Sequence, residues 1–143
     1  MTPLQPIIAE LAVESVDASI SWYRELGFEV DAEGQRDDDG RQWVSLSHEG
    51  RSVWLLRADM FPVAMPPEPG APRMTLYLQV LDVDAVYARL IERRIETEHV
   101  PQNQWYGLRE FALRDPDGFR WVINQPIPED QTPPPPRTPP LPG

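Results

Sequence analysis

The chain reads as an α+β fold built from two copies of one β-α-β-β-β plan, and three observations predict it. The words Val13-x-Ser15-Val16-Asp17-Ala18 and Val80-x-Asp82-Val83-Asp84-Ala85 match, each after a strand-like run and before a helix-like one. Glu49-Gly50 and Asp117-Gly118 stand at the same place, just ahead of the last strand of each half. The third is Asp115-Pro116-Asp117-Gly118, set between apolar runs. Proline fixes φ there and glycine accepts φ > 0, so residues 109–123 predict a β-hairpin. Neither half buries both faces of its own sheet, so the halves are expected to pair.

The elements follow in order. After a short arm, residues 7–13 read as a strand. Ser15 or Asp17 caps a helix over 18–26, in which Ile20, Tyr23 and Leu26 share a face by their i, i+3 spacing. Gly27 suits the position just past its end. Residues 28–33 form a second strand. The Asp37-Asp38-Asp39-Gly40 turn leads into a third over 41–47, and His48-Glu49-Gly50 turns into a fourth over 52–57. Residues 61–73 hold five prolines and make a stiff connector, unsuited to a helix or an inner strand.

The second half restarts the plan. Residues 74–80 alternate cleanly, with Leu76, Leu78 and Val80 on one face and Thr75, Tyr77 and Gln79 on the other. Asp82 or Asp84 caps a helix over 85–93. A strand over 95–100, a loop over 102–107 and the hairpin complete the half. Module one is thus 7–58 and module two 74–125, within a single domain over 1–125. Half of residues 126–143 are proline, which predicts a polyproline-II or disordered tail. Such a tail either docks on a partner's aromatic groove or is an inert extension.

Composition narrows the function. At 143 residues there is room for one compact domain or two small halves sharing a core. Five Trp point to a packed core or a stacking pocket. The absence of cysteine excludes disulfides, zinc–thiolate sites and cysteine nucleophiles. No apolar run approaches the ~20 residues of a membrane span, and no signal-peptide pattern opens the chain. A soluble, cytoplasmic protein that does not bind membranes is expected. The net charge of −10 argues against nucleic acid as a partner. It suits either attraction of cationic ligands or simple solubility.

Leu11-x-Val13-x-Ser15-Val16-x-x-Ser19-x-x-Trp22-Tyr23 with Leu26-Gly27-Phe28, and Asp115-Pro116-Asp117-Gly118, are similar to the vicinal oxygen chelate superfamily. That group contains glyoxalase I, extradiol dioxygenases and bleomycin resistance proteins. The phrase from Tyr106 to Pro116 most resembles bleomycin resistance proteins, although Leu108 departs from their pattern. The resemblance covers residues 5–125. It implies two βαβββ modules forming a curved cup of mixed sheet with helices outside, and a homodimer. Its enzymes hold a divalent metal with His, Glu or Gln from four strands. Those positions fall here at Ile8, Trp54, Thr75 and Val122, which are unsuited to coordination, so neither metal nor cofactor is expected. A shift of two residues offers only Glu10.

Strand parity turns Ile8, Glu10, Ala12, Thr75, Tyr77 and Gln79 toward the cup, joined by Trp54, Leu56, Arg120, Val122 and Asn124. Trp105 and Tyr106 are either a stacking lid or hydrophobic plugs. Tyr106, Glu110 and Phe111 match the loop region of the drug-binding relatives. The expected ligand site is therefore Glu10, Trp54, Tyr77, Trp105, Tyr106, Glu110, Arg120 and Val122, with no catalytic residue assigned. It would sequester a small aromatic or cationic molecule, an antibiotic among the candidates. The alternatives are a metal-dependent or cofactor-free lyase or dioxygenase, the latter using Glu10 as base, and an interaction protein working through its tail.

Overall fold

Ser15 and Asp82, which the matched words place ahead of a helix, both cap one. Ser15 Oγ accepts from the Ala18 amide at 3.1 Å and opens α1 (Val16–Glu25). Asp82 Oδ1 accepts from the Ala85 amide at 3.1 Å and opens α2 (Val83–Glu92). Each satisfies one of the amides that a first helical turn leaves without a partner. Both helices start two residues earlier than periodicity alone marks, because the earlier of the two candidate caps is used in each.

The structure, a computed structural model, describes residues 2–4, 6–60 and 74–136. The connector assigned to 61–73 and the end of the tail, 137–143, lie outside the described residues. The chain divides into two units. The first contains β1 (Ala9–Val13), α1, β2 (Glu29–Glu33), β3 (Arg36–Asp37), β4 (Gly40–Arg41), β5 (Trp43–His48) and β6 (Arg51–Arg57). It also takes in the turn Asp115–Gly118. Its main sheet runs β1-β6-β5-β2, with β1 parallel to β6 and the other pairs antiparallel. The second contains β7 (Thr75–Gln79), α2, β8 (Gln102–Asn103), β9 (Leu108–Arg114) and β10 (Arg120–Pro126), in the order β7-β10-β9-β8. Here β7 is parallel to β10 and the rest are antiparallel. Each unit is therefore a four-stranded mixed sheet with one helix, as the repeat predicts.

Each sheet buries one face under its own helix. In the first unit Leu11, Val13, Ile20, Tyr23, Phe28, Val44, Leu46 and Leu55 are buried. In the second, Leu78, Leu90, Phe111, Leu113 and Ile123 form the equivalent core. The Tyr87 ring of α2 meets Phe111 edge-on at 5.3 Å, which fixes the odd-numbered residues of β9 as the helix side. Leu76 and Val80 are only half-buried.

Two expectations need correction. The third strand does not begin directly at the acidic turn. That turn instead closes a two-stranded ribbon, β3-β4, and β5 starts at Trp43 after a break at Gln42. No strand forms over 95–100. The Ile95 amide is taken by Leu90 O at the end of α2, Arg94 sits at φ 62, and Pro101 has no amide to pair. The edge strand is β8, within the stretch expected to be a loop.

Candidate functional site

In the second unit, the face turned away from α2 carries Tyr77 from β7, Val122 and Asn124 from β10, and Glu110 from β9. The register confirms the grouping: Val122 lies beside Tyr77, and Asn124 beside Glu110. Glu110 is 7% exposed. Its Oε1 accepts a hydrogen bond from the Tyr106 hydroxyl, while its buried Oε2 has no hydrogen-bond partner among the described residues. Burial and, after it, the hydrogen bond to Glu110 push the Tyr106 phenol well above its ordinary range. Tyr106 thus stays a donor at neutral pH.

Around this buried carboxyl the aromatic surface is open. Tyr77 is 59% exposed, Trp105 49% and Tyr106 45%. The indole of Trp105 meets the Tyr106 ring edge-on at 5.4 Å. Such half-exposed rings beside a buried acceptor can stack on a flat ligand while the carboxyl takes a hydrogen bond from it. Val122, by contrast, is 2% exposed and lies in the floor of the sheet. Arg120 is held by Glu98, through contacts of 3.2 and 3.1 Å from its Nε, and Arg114 shares the same carboxylate at 3.3 Å. The Asn124 amide is buried and donates to the carbonyls of Leu78 and Val122 at 3.3 Å.

The remaining predicted residues, Glu10 and Trp54, belong to the first unit. They are register partners on β1 and β6. Trp54 also meets Trp43 edge-on at 5.5 Å. Sequence reasoning passed over Trp43, although the two-residue period of β5 and its pairing with Leu56 place it on that face. Asn124, expected on the cup face, is a fixed group there, and Glu98, not among the expected site residues, restrains Arg120. A hollow of about 170 Å³ in this unit, lined by Glu14, Ser15, Ala18, Ser19, Pro116 and Asp117, contains no predicted site residue.

Two carboxylates of the acidic stretch around the β3-β4 ribbon, Glu33 and Asp37, are held by arginines, as are Asp17 and Asp59 nearby. Arg57, 5% exposed, grips Asp37 with two bonds of 2.6 Å and Asp59 with bonds of 2.7 and 3.0 Å. Arg41 binds both Asp17 and Glu33. These arginines hold the four carboxyl groups below their ordinary range. The acids here fasten the β3-β4 ribbon.

The model of the Glyoxalase/Bleomycin resistance protein/Dioxygenase superfamily matches residues 6–123. The chain belongs to that superfamily. Among solved structures, TnmS3, an antibiotic binding protein from Streptomyces sp. CB03234, is 28% identical with a TM-score of 0.69. That match covers 89% of this chain and 99% of TnmS3. TioX from Micromonospora sp. ML1 is 22% identical with a TM-score of 0.70, covering 86% and 99% of the two chains. A lactoylglutathione lyase from Agrobacterium tumefaciens is 19% identical with a TM-score of 0.66, covering 87% and 96%. The last two likenesses are of fold. No curated protein sequence matches the chain.

The metal of the superfamily's enzymes does not fit the residues present. Ile8, Trp54, Thr75 and Val122 offer one hydroxyl and no imidazole or carboxylate. The strand register allows a second test, because it sets Glu10 beside Trp54 and Tyr77 beside Val122. The first pair supplies a single carboxylate and the second none. Among the described residues, no three His, Cys, Asp or Glu side chains come together in a way that could hold a metal ion. His48 packs edge-on against Phe28 at 6.1 Å, and the His99 ring lies 2.8 Å from the Val100 carbonyl.

Proposed function

We propose that this superfamily member binds, without a metal, a small organic molecule that combines a flat ring with a hydrogen-bond-donating, preferably cationic, group. The observation that carries this reading is the buried Glu110 Oε2, without a hydrogen-bond partner among the described residues, beside the half-exposed Trp105, Tyr106 and Tyr77. Trp105 and Tyr106 act as a stacking lid, Tyr77 as a second aromatic wall, and Glu110 as the polar anchor. Glu10 and Trp54 supply the corresponding contacts in the first unit. Val122 shapes the floor, and Arg120, its charge met by Glu98, borders the site. The description of TnmS3 as an antibiotic binding protein supports an antibiotic as one ligand class. The homodimer implied by the family resemblance belongs to the same proposal, and sedimentation of the purified chain tests it.

Titration of the chelator-treated protein with a panel of flat cationic drugs, followed by Trp fluorescence and calorimetry, tests the binding. Saturable quenching is expected, with Glu110→Gln weakening it about tenfold or more, as for loss of a hydrogen bond to a charged group. Failure of every compound in the panel to bind, or binding that returns only with added metal, would overturn the proposal.

A further inference from the structure

The stretch expected to be a free tail begins by tying itself to the aromatic loop. β10 runs through Pro126, which lies opposite Leu108. The next residue, Ile127, donates its amide to Gly107 O at 3.0 Å. The chain then makes a single 3-10 turn over Glu129–Gln131, closed by the Gln131 amide donating to Pro128 O at 3.0 Å and braced by Thr132 Oγ1 donating to the same oxygen at 3.1 Å. Gln131 O accepts from Asn103 Nδ2 at 3.2 Å.

Asn103 is itself fixed. Its Oδ1 takes a bond of 2.9 Å from Arg109, whose guanidinium holds both oxygens of Asp84 at 2.9 and 2.8 Å. Residues 104–108 are therefore anchored twice by the segment that follows β10, at Asn103 just before them and at Gly107 within them. The backbone bonds within the loop are short-range, Gln104 N to Leu108 O at 2.7 Å and Gly107 N to Gln104 O at 3.1 Å. Trp105 and Tyr106 sit between those anchors. Composition suits the task, since Pro126 and Pro128 restrict the backbone around Ile127 and lower the entropy lost when it is ordered. Neither proline has an amide, so in this triplet Ile127 alone can donate.

We propose that residues 127–132 are a positioning strap that sets the 104–108 loop, and with it Trp105 and the Tyr106–Glu110 contact. Only its consequence for affinity rests on the binding function proposed above; the strap itself is tested without ligand.

The test is amide hydrogen exchange at 104–108 in the full chain, in Ile127→Pro, in Ile127→Val, and in chains ending after Pro126 or after Thr132. Ile127→Pro removes the amide N–H together with the Ile side chain, and Ile127→Val, which trims the side chain but keeps the N–H, is its control. Exchange at Gln104 and Gly107 is expected to rise about fivefold for each anchoring bond lost, in Ile127→Pro and in the chain ending at Pro126. Exchange across β9 and β10 should stay unchanged, and Ile127→Val and the chain ending at Thr132 should match the full chain. Unaltered loop exchange in both Ile127→Pro and the shorter truncation overturns the strap. So does an equal rise in the chain that keeps 127–132. Weaker ligand binding by Ile127→Pro without faster loop exchange would sink the strap and leave the binding site standing. Faster exchange in a protein that binds nothing in the panel would support the strap and sink the binding proposal.

Discussion

The Tyr23 hydroxyl donates to Asp115 Oδ2 at 2.6 Å, and both residues are buried. This joins the last turn of α1 to the first residue of the Asp-Pro-Asp-Gly turn. The other oxygen of Asp115 accepts the Asp117 amide at 2.9 Å, and Gly118 closes the turn at φ +89 by donating to Asp115 O at 2.9 Å. Tyr23→Phe keeps the ring and removes the hydroxyl with its buried bond to an acid. It should cost about 1–3 kcal/mol in urea unfolding with little change in slope, the range for buried bonds to charged groups. A loss below half a kilocalorie would mean that another group takes over the phenol's role.

The paired caps make a second prediction. Ser15→Ala and Asp82→Ala should each destabilise by about 1 kcal/mol in thermal or urea unfolding. Asp17→Ala and Asp84→Ala should act differently, because those carboxyl groups bind Arg41 and Arg109 and do not cap. Circular dichroism on the four variants separates the roles. Loss of helix signal in the Asp17 and Asp84 variants alone would contradict the cap assignment.

What could be read in advance was local. Ser15, Asp82 and the Asp115–Gly118 turn act over three residues, so their words carry the structure, and the repetition of those words carried the two-module plan. Glu110 and Tyr106 were found through their likeness to a family phrase, but the lone buried oxygen beside them depends on how β9 and β10 pack. The fastening of Asp37 and Asp59 by Arg57 needed the course of the β3-β4 ribbon, which no local signal sets. The missing strand over 95–100 has both kinds of cause, since the Ile95 amide is kept by Leu90 O at the end of α2 while the Glu98 amide is taken by Ala112 O, far along the chain. At the end of the chain, proline content spoke for disorder and hid the single amide of Ile127.

The Arg57 cluster predicts a pH dependence. Asp37 is held far below its ordinary value of 3.8 by the Arg57 guanidinium first and by the Gln42 amide next, and Asp59 is lowered mainly by Arg57. Folded-state values below the unfolded ones mean that the native chain binds fewer protons through this range. The stability they contribute is therefore present above about pH 4 and is lost as pH falls through the lowered values. Melting temperatures of the native chain should fall steeply below that point, while Arg57→Gln, less stable at neutral pH, should show a shallower acid slope. Parallel acid slopes for the two proteins would remove this cluster as the cause.

At the alkaline end the governing group is Tyr106. Its phenol is raised above the ordinary value of 10.0, first by burial and then by Glu110, so the fold favours the protonated form. The stability from this contact is complete below that value and is lost as pH rises through the raised one. Glu110→Gln removes the negative neighbour but keeps an acceptor for the hydroxyl, and should bring the ionisation of Tyr106 down toward its ordinary range. Tyrosinate absorbance against pH reads this directly, with Tyr106→Phe identifying which of the four tyrosines is responsible. An unchanged titration in Glu110→Gln would show that burial alone sets the phenol and that the contact with Glu110 carries no weight. A lowered one would identify Glu110 as a negative group in a dry setting, the property a cationic ligand would use.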